Sequence, residues 1–333
     1  MRGKMNKKNK WLFYEKRYQF RELYFHKILR RHICEKYLNI DPVLPFYANK
    51  WVMSQKKTNQ YIFDQLMAGQ PFMAARFGNT ELSVMTSVLK RRLFGNTPEI
   101  SAAFDEWFHN LGELSGFFPD NPALAEEFTD LMLKSCKYVD ILAMYHCRLD
   151  DYIITEYMPG IKLTFLNHIE PWRSKQPWTR ALKGKKVLVI HPFVESIREQ
   201  YGKRKLLFSD ENVLPEFELK TLKAVQTIAG EKDDRFETWF DALEYMVQEA
   251  LKIDFDVAVL GCGAYGFPLA ARLKAAGKQA IHMGGVTQIL FGIKGRRWVD
   301  NPRCGVKFND AWIYPKESET PSNCNVVENH CYW

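Results

Sequence analysis

The chain has 333 residues, of which 46% are hydrophobic and 26% charged, as is typical of a globular protein. It has no apolar run of about eighteen residues and no N-terminal secretory signal, so we expect a cytoplasmic protein. Most of the net charge of +8 lies in residues 1–50, with thirteen Lys or Arg and four Asp or Glu; the remainder holds 34 basic and 35 acidic residues. A nearly neutral body disfavours a nucleic-acid-binding domain. The seven cysteines are irregularly spaced and include no CxxC, which predicts free thiols rather than disulfides or a zinc site.

Residues 11–38 mix aromatic and basic residues at helical spacing and predict a basic amphipathic helix. One face is expected to hold Trp11, Tyr14, Tyr18, Phe25, Ile28 and Leu29. Two interpretations stay open. The helix packs on the domain or on a partner, or it rests peripherally on the anionic inner face of a membrane.

Apolar strand patterns and helical patterns alternate along the rest of the chain, most clearly after Gly184. This alternation predicts an α/β fold with a Rossmann-like, mostly parallel, doubly wound sheet flanked by helices. Residues 148–183 are expected to be rich in loops. We divide the chain into an N-terminal helical segment (1–50), a catalytic domain (51–311) and a C-terminal surface tail (312–333).

The strongest local signal is the sequence FDVAVLGCGAYGFPLAARLKAAG. It places Gly261, Gly263, Tyr265 and Gly266 between an apolar strand and a helix, where glycines let backbone N–H groups approach a phosphate. The alternative is a turn that only joins strand to helix. A dinucleotide site needs an acid at the end of the next strand, but His282 stands there, so NAD is not expected. Gly284 and Gly285 follow it and suit a sugar nucleotide lying across neighbouring strand ends.

Three further segments carry candidate site residues, each with a purely structural alternative. His191 ends an apolar strand and Ser196 starts the next helix, which favours binding of a phosphate and a donor or base role for the histidine. Arg76, Gly78, Asn79 and Glu81 surround a turn after the strand PFMAA, where Glu81 is a candidate base or metal ligand and Thr80 a candidate helix cap. Lys294, Arg296 and Arg297 form a cationic loop suited to a diphosphate leaving group, or simply a solvated one.

Together these segments resemble the GT-D-fold glycosyltransferases of bacterial glycan assembly. The likeness rests on ARFGNTEL, VLVIHPFVESIREQY and the stretch from VLGCGAYG to KGRRW. It implies a nucleotide-sugar donor and an Asp-x-Glu element that positions a divalent cation, Mn²⁺ or Mg²⁺. Asn79 and Glu81 occupy the matching positions, so one anionic oxygen is lost and the requirement for a metal stays open.

The leading hypothesis is therefore a hexosyltransferase-type glycosyltransferase that moves a sugar from a nucleotide donor, most simply a UDP-sugar, to a glycan or lipid-linked acceptor in polysaccharide biosynthesis. Arg76, Glu81 and His191 are the expected catalytic residues. The donor is expected to bind at the three glycine turns, through Gly78, Asn79, Gly261, Gly263, Tyr265, Gly266, His282, Gly284 and Gly285. Ser196, Lys294 and Arg296 are expected to bind it as well. Two alternatives remain: an NAD(P)-dependent oxidoreductase, and a non-catalytic regulatory protein that binds a nucleotide sugar.

Overall fold

The computed structural model describes residues 5–38, 40, 42, 44–301, 303–324, 327 and 330–333. Their helices are α1 (Lys7–Phe20), a π-helix (Arg21–Leu38), α2 (Gln55–Ala68), α3 (Asn79–Phe94), α4 (Pro98–Ser115), α5 (Leu124–Ser135), α6 (Asp150–Tyr157), α7 (Val194–Gly202), α8 (Trp239–Lys252), α9 (Gly266–Ala275), α10 (Thr287–Leu290) and α11 (Arg296–Val299). The strands are β1 (Phe46–Tyr47), β2 (Lys50–Met53), β3 (Phe72–Ala75), β4 (Ile141–Met144), β5 (Lys162–Phe165), β6 (Lys186–His191), β7 (Glu218–Lys223), β8 (Val257–Leu260) and β9 (Gln279–His282).

Within the described residues the strands form one nine-stranded sheet in the order β1-β2-β5-β4-β3-β9-β8-β6-β7. The edge pair β1–β2 is antiparallel, and the other pairings are parallel. Helices cover both faces, so the predicted α/β class and doubly wound, mostly parallel sheet are confirmed. The parallel strands also share one carboxyl edge, where a ligand site is expected in such folds.

Alternating side chains of the central strands pack in two apolar cores, one on each face of the sheet. Leu188 and Ile190 of β6 face one core with α3, α4, α5, α8 and α9, whereas Val187 and Val189 face the other with α2 and α7. Both faces of these strands are buried, which explains why they read as continuous apolar runs rather than as alternating patterns.

Local sequence explains where several helices begin and end. The Ser54 hydroxyl accepts from the Lys57 N–H at the start of α2, and Gly69 ends that helix in the left-handed region. Thr238 and Asp241 form a reciprocal capping box that starts α8.

The region 148–183 is more regular than predicted. It contains α6 and the inner strand β5, whose KLTF sequence is short and pairs with both β2 and β4. Its strand character comes from those two neighbours and not from its own pattern.

The N-terminal helix is present but is not uniform. α1 buries Trp11 and Tyr14 against Tyr152, with ring centroids 4.9 and 5.7 Å away. Ile28 and Leu29, expected on the same face, are exposed, because the helix continues in π geometry and the i, i+3, i+4 spacing no longer applies. In the described ranges no helix combines the length and the apolar character needed to cross a bilayer.

Candidate active site at the carboxyl edge of the sheet

A cavity of about 480 Å³ opens where the parallel strands end. Residues that directly follow β3, β4, β5, β6, β7, β8 and β9 all line it, together with the end of α4 and the C-terminus of the chain. Its size matches a pocket for a small molecule or nucleotide.

Most of the sequence-predicted residues meet in this cavity. Its wall includes Arg76, Gly78, Asn79, Glu81, His191, Gly261, Gly263, Tyr265, His282, Gly284 and Gly285. These residues come from four strand–helix junctions, β3–α3, β6–α7, β8–α9 and the turn after β9. Residues that are distant in sequence are therefore adjacent in space.

Glu81 is the one carboxylate among the described residues that line the cavity. It lies in the first turn of α3 and is only 7% exposed. Burial raises the pKa of its carboxyl, while its own backbone N–H, Arg76 and the Ser115 hydroxyl oppose that rise. Thr80 is not the helix cap, since Gly78 occupies that position.

Gly78 leaves the space in which the Glu81 carboxylate lies. A Cβ atom at residue 78 would sit 1.7 Å from Oε2 of Glu81. The backbone of Gly78 (φ −80°, ψ 152°) is open to any residue, so this glycine is required by the close approach and not by its conformation.

Arg76 supplies positive charge beside Glu81. Its Nε donates to the Phe77 carbonyl at 3.0 Å, and its guanidinium lies 5.4 Å from the ring centre of Tyr145, which also lines the cavity. A Cβ on Gly284 would come within 3.1 Å of Nη1, so the second glycine turn packs directly on this arginine.

The two histidines of the cavity are neutral. Burial lowers the pKa of His191 to about 3, and burial together with Arg76 lowers that of His282 to about 3. Nδ1 of His191 accepts from the Phe193 N–H at 3.0 Å, so Nε2 carries the ring proton. Nδ1 of His282 is buried without a partner among the described residues.

The glycine turn after β8 is shaped by these histidines. A Cβ on Gly261 would lie 2.5 Å from Cδ2 of His191, and one on Gly266 would lie 2.1 Å from Cε1 of His282. Gly263 has φ +54°, a left-handed conformation that glycine adopts without strain. Gly266 is thus a packing residue behind His282, whereas Gly261 and Gly263 line the cavity.

Besides Gly266, three of the expected donor-binding residues are not brought to the cavity, namely Ser196, Lys294 and Arg296. Ser196 is buried, and its hydroxyl and N–H bond to the carboxylate of Glu319, which also accepts from the Glu195 N–H at 2.7 Å. The start of α7 does bind an anion, as expected of a helix N-terminus, but the anion belongs to the chain itself. Lys294 lies 5.7 Å from the Tyr314 ring centre, and exposed Arg296 bonds to Asp300.

Several lining residues were not foreseen. Arg297, rather than its two cationic neighbours, reaches the cavity and lies 5.1 Å from the ring centre of Tyr332. Tyr332 and Trp333, which we had assigned to a surface tail, form part of the wall, and no local pattern marks them. Tyr145 could have been found by the rule that residues directly after parallel strands line the site.

The described wall supplies few ligands of its own for a divalent cation. Its one side-chain carboxylate has a raised pKa and lies beside an arginine, whereas Mg²⁺ is usually held by one or two carboxylates together with substrate phosphates. Asn79 is exposed at the cavity and adds a neutral oxygen. Among the described residues no cluster of three or more His, Cys, Asp or Glu side chains has the arrangement of a metal site.

Comparison with protein-family models gives no match, and no curated protein matches the chain. Two solved structures of the domain of unknown function 1792 are similar, each with a TM-score of 0.42, covering 83% of this chain and 93% of theirs. One is a selenomethionine-substituted structure at 13% identity, and the other, at 12%, is described as having a distinct glycosyltransferase fold. A likeness at this TM-score carries no argument about function.

Proposed function

We propose that this protein is a glycosyltransferase of the GT-D type that transfers a hexose from a nucleotide-sugar donor, a UDP-sugar, to a glycan or lipid-linked acceptor in polysaccharide assembly. The observation that carries the proposal is the convergence of Glu81, Arg76 and the glycine turns in one cavity at the carboxyl edge of the sheet. Such an edge is where α/β folds bind phosphorylated ligands.

The donor diphosphate would lie against the turn 261–263 and the guanidinium groups of Arg76 and Arg297. Arginines and the backbone N–H groups of glycine turns are donors that proteins use for diphosphates, and Arg76, Arg297 and the turn 261–263 line this cavity. His191 and His282 are neutral at pH 7, so they are not cations, and a pKa of about 3 makes them weak bases; they therefore serve as hydrogen-bonding partners.

Glu81 is the candidate base, because burial moves its pKa upward toward neutrality. Its carboxylate takes the proton of the acceptor hydroxyl, and the acceptor oxygen forms a bond to the anomeric carbon. The bond from that carbon to the phosphate oxygen breaks, and its electron pair leaves with the nucleoside diphosphate. Arg76 and Arg297 stabilise the charge that develops there. No step is assigned to a metal ion, because Glu81, the one side-chain carboxylate among the described wall residues, serves here as the base.

The alternative of an NAD(P)-dependent oxidoreductase gains no support from the site. His282 ends β9, where the acid that binds a dinucleotide ribose would stand. We therefore propose no nicotinamide cofactor.

The test combines ligand binding with turnover. Purified protein is screened with UDP-sugars, other nucleotide sugars and NAD(H) for a thermal shift, and then for release of nucleoside diphosphate with a glycan acceptor. A ligand that binds the native state raises its stability by mass action. Glu81→Gln should keep the shift and lose about 100-fold or more in turnover. Glu99→Gln, an exposed acid in the first turn of α4, is the matched control and should behave as wild type.

Each outcome separates the hypotheses. A shift with UDP-sugars and no turnover, unchanged by Glu81→Gln, identifies a regulatory binding protein. A shift with NAD(H) alone would overturn the transferase proposal.

A further inference from the structure

The N-terminal helices are held to the domain along an inner side. Arg21 is 6% exposed and contacts Asp151 at 2.9 Å and Asp150 at 3.7 Å, and Lys90 pairs with Glu15 at 2.5 Å. With the burial of Trp11 and Tyr14, these contacts fix which side of α1 and the π-helix faces the solvent.

The opposite side, which we call the outer face, carries a row of exposed apolar side chains. Its members are 39–70% exposed: Phe13, Phe20, Tyr24, Ile28, Leu29, Ile33, Tyr37 and Leu38. Their spacing follows the period of each helix. In α1, Phe13 and Phe20 are seven residues apart, which is about two α-helical turns. In the π-helix the exposed residues recur every four to five positions, and one π-helical turn takes about 4.4 residues. The change of period keeps the row on one side of the segment.

Among the described side chains of the two helices, the exposed charged ones are basic: Lys7, Lys8, Lys16, Lys27, Arg31 and Lys36. Of these, Lys8 turns toward the domain, with Nζ 5.8 Å from the Phe94 ring centre. Glu15 and Glu22 are half-buried, and Glu15 is paired. Exposed aromatic and aliphatic groups ringed by cations are the composition of a helix that lies in the interface of an anionic membrane. A second copy of the chain suits it less well, because a two-fold interface would bring these like charges together.

A neighbouring hairpin packs on the inner side of the helices and exposes two further aromatic side chains. Tyr47 of β1 lies 4.9 Å from the Arg21 guanidinium, and the adjacent Phe46 and Trp51 are 46% and 75% exposed. Tryptophan is enriched where proteins meet the membrane–water boundary.

The π-helix also runs beside the candidate active site. Phe25 and His26 contact His146, with ring centroids 5.6 and 6.1 Å apart, and the preceding residue, Tyr145, lines the cavity. On its inner side the π-helix therefore packs against the residue that directly follows a cavity-lining side chain. The value of this placement for a lipid-linked acceptor rests on the proposed function, but the outer face itself does not.

We propose that the outer face binds the surface of an anionic lipid bilayer. The aromatic and aliphatic side chains enter the headgroup region, and the surrounding lysines and arginine contact the lipid phosphates. The contact is peripheral, since its apolar groups occupy one side of the helices only.

Vesicle co-sedimentation of the full chain tests the proposal without reference to enzymatic activity. Two vesicle types are compared, phosphatidylcholine alone and phosphatidylcholine mixed with phosphatidylglycerol. We expect binding to the anionic vesicles at about 0.1 M salt and loss of most of it at about 1 M, where the Debye length falls from about 10 to about 3 Å.

Two double variants separate the apolar and electrostatic contributions. Phe20→Ser with Tyr24→Ser should weaken partition at least about tenfold. Lys16→Gln with Lys27→Gln should weaken it by about 25-fold, since each cation near the surface contributes about fivefold. The matched controls alter equally exposed residues elsewhere, Met67→Ser with Leu206→Ser and Lys183→Gln with Lys205→Gln, and should partition as wild type.

All four variants change exposed side chains, and an unchanged thermal unfolding midpoint verifies that each is folded. The proposal is overturned by absence of binding at low salt, by equal binding to neutral vesicles, or by equal losses in the controls. It is also overturned if the wild type does not bind vesicles and analytical sedimentation shows a dimer that the outer-face variants dissociate. The outer face would then be an interface between copies.

Discussion

Replacing Gly78 by alanine tests whether the position of the Glu81 carboxylate controls activity. The new Cβ would lie 1.7, 2.4 and 2.7 Å from Oε2, Cδ and Oε1 of Glu81, whereas ordinary contact begins near 3.4 Å. The nearest oxygen must therefore move by about 1.7 Å, the difference between the ordinary contact and the 1.7 Å approach. The backbone at residue 78 suits alanine, so the change acts through this contact and the helix cap alone.

The expected loss of stability is moderate. Displacing the carboxylate breaks its hydrogen bonds, which costs about 1–3 kcal/mol in a buried site. Alanine is also a poorer N-cap than glycine by about 0.5–1 kcal/mol. Unfolding by urea should therefore show a free energy lower by about 1.5–4 kcal/mol, with the protein still folded at 25 °C.

The expected loss of turnover is larger. A misplacement of 1 Å in a catalytic group can reduce the rate by about 100-fold, so kcat should fall at least that far while nucleotide affinity changes less than about threefold. Gly160→Ala is the matched control, because a Cβ there meets nothing within 4 Å. It should leave kcat and stability unchanged.

A double variant isolates the cause. If Gly78 acts only through Glu81, Gly78→Ala combined with Glu81→Gln should be no slower than Glu81→Gln alone. Gly78→Ala turning over within twofold of wild type would refute the assignment of Glu81, and fully additive losses would show that Gly78 acts by another route.

Three further predictions concern stability. Gly266→Ala places a Cβ 2.1 Å from Cε1 of His282 and should lower the unfolding free energy by about 1–3 kcal/mol. Gly202→Ala is the control, because a Cβ there meets nothing within 4 Å, and it should leave the unfolding free energy unchanged. Equal urea midpoints for the two variants would contradict the packing role of Gly266. Glu319→Gln removes the anion that accepts from the N–H groups of Glu195 and Ser196, and should lower the unfolding free energy by about 1–3 kcal/mol without altering nucleotide binding. A large loss of nucleotide affinity would instead show that the start of α7 takes part in ligand binding. The pKa of His191, about 3 in the folded state against an ordinary 6.5, means that the unfolded chain binds the extra proton, so this residue lowers stability as pH falls from about 6.5 to about 3. His191→Gln should reduce the pH dependence of the unfolding free energy by up to about 1.4 kcal/mol per pH unit relative to wild type. Burial raises the pKa of Asp150 to about 7, so this group contributes the opposite slope. Its contribution cancels when the two proteins are compared. Parallel stability curves between pH 6 and 4 would show that His191 is not held neutral.

Local sequence determined the parts of the fold whose signals are short-range. The apolar run VAVL and the glycines from Gly261 to Gly266 fix a strand, a turn and a helix start, because side-chain burial and backbone conformation act within a few residues. Since parallel strands share a carboxyl edge, the strand-end candidates Arg76, Glu81, His191 and His282 lie along one cavity.

Only the tertiary structure decided which of the candidates share the cavity. Ser196 has the expected position at a helix start, but its anion partner is Glu319, 123 residues away. Tyr332 joins the wall because it packs on Gly285 and Arg297. Pairings over such separations depend on how the chain folds back on the sheet and leave no periodic signal in the sequence. The tertiary structure also decides that KLTF is a strand, because β2 and β4 pair with it on either side. It likewise raises the pKa of Glu81, because only the assembled fold buries that carboxyl.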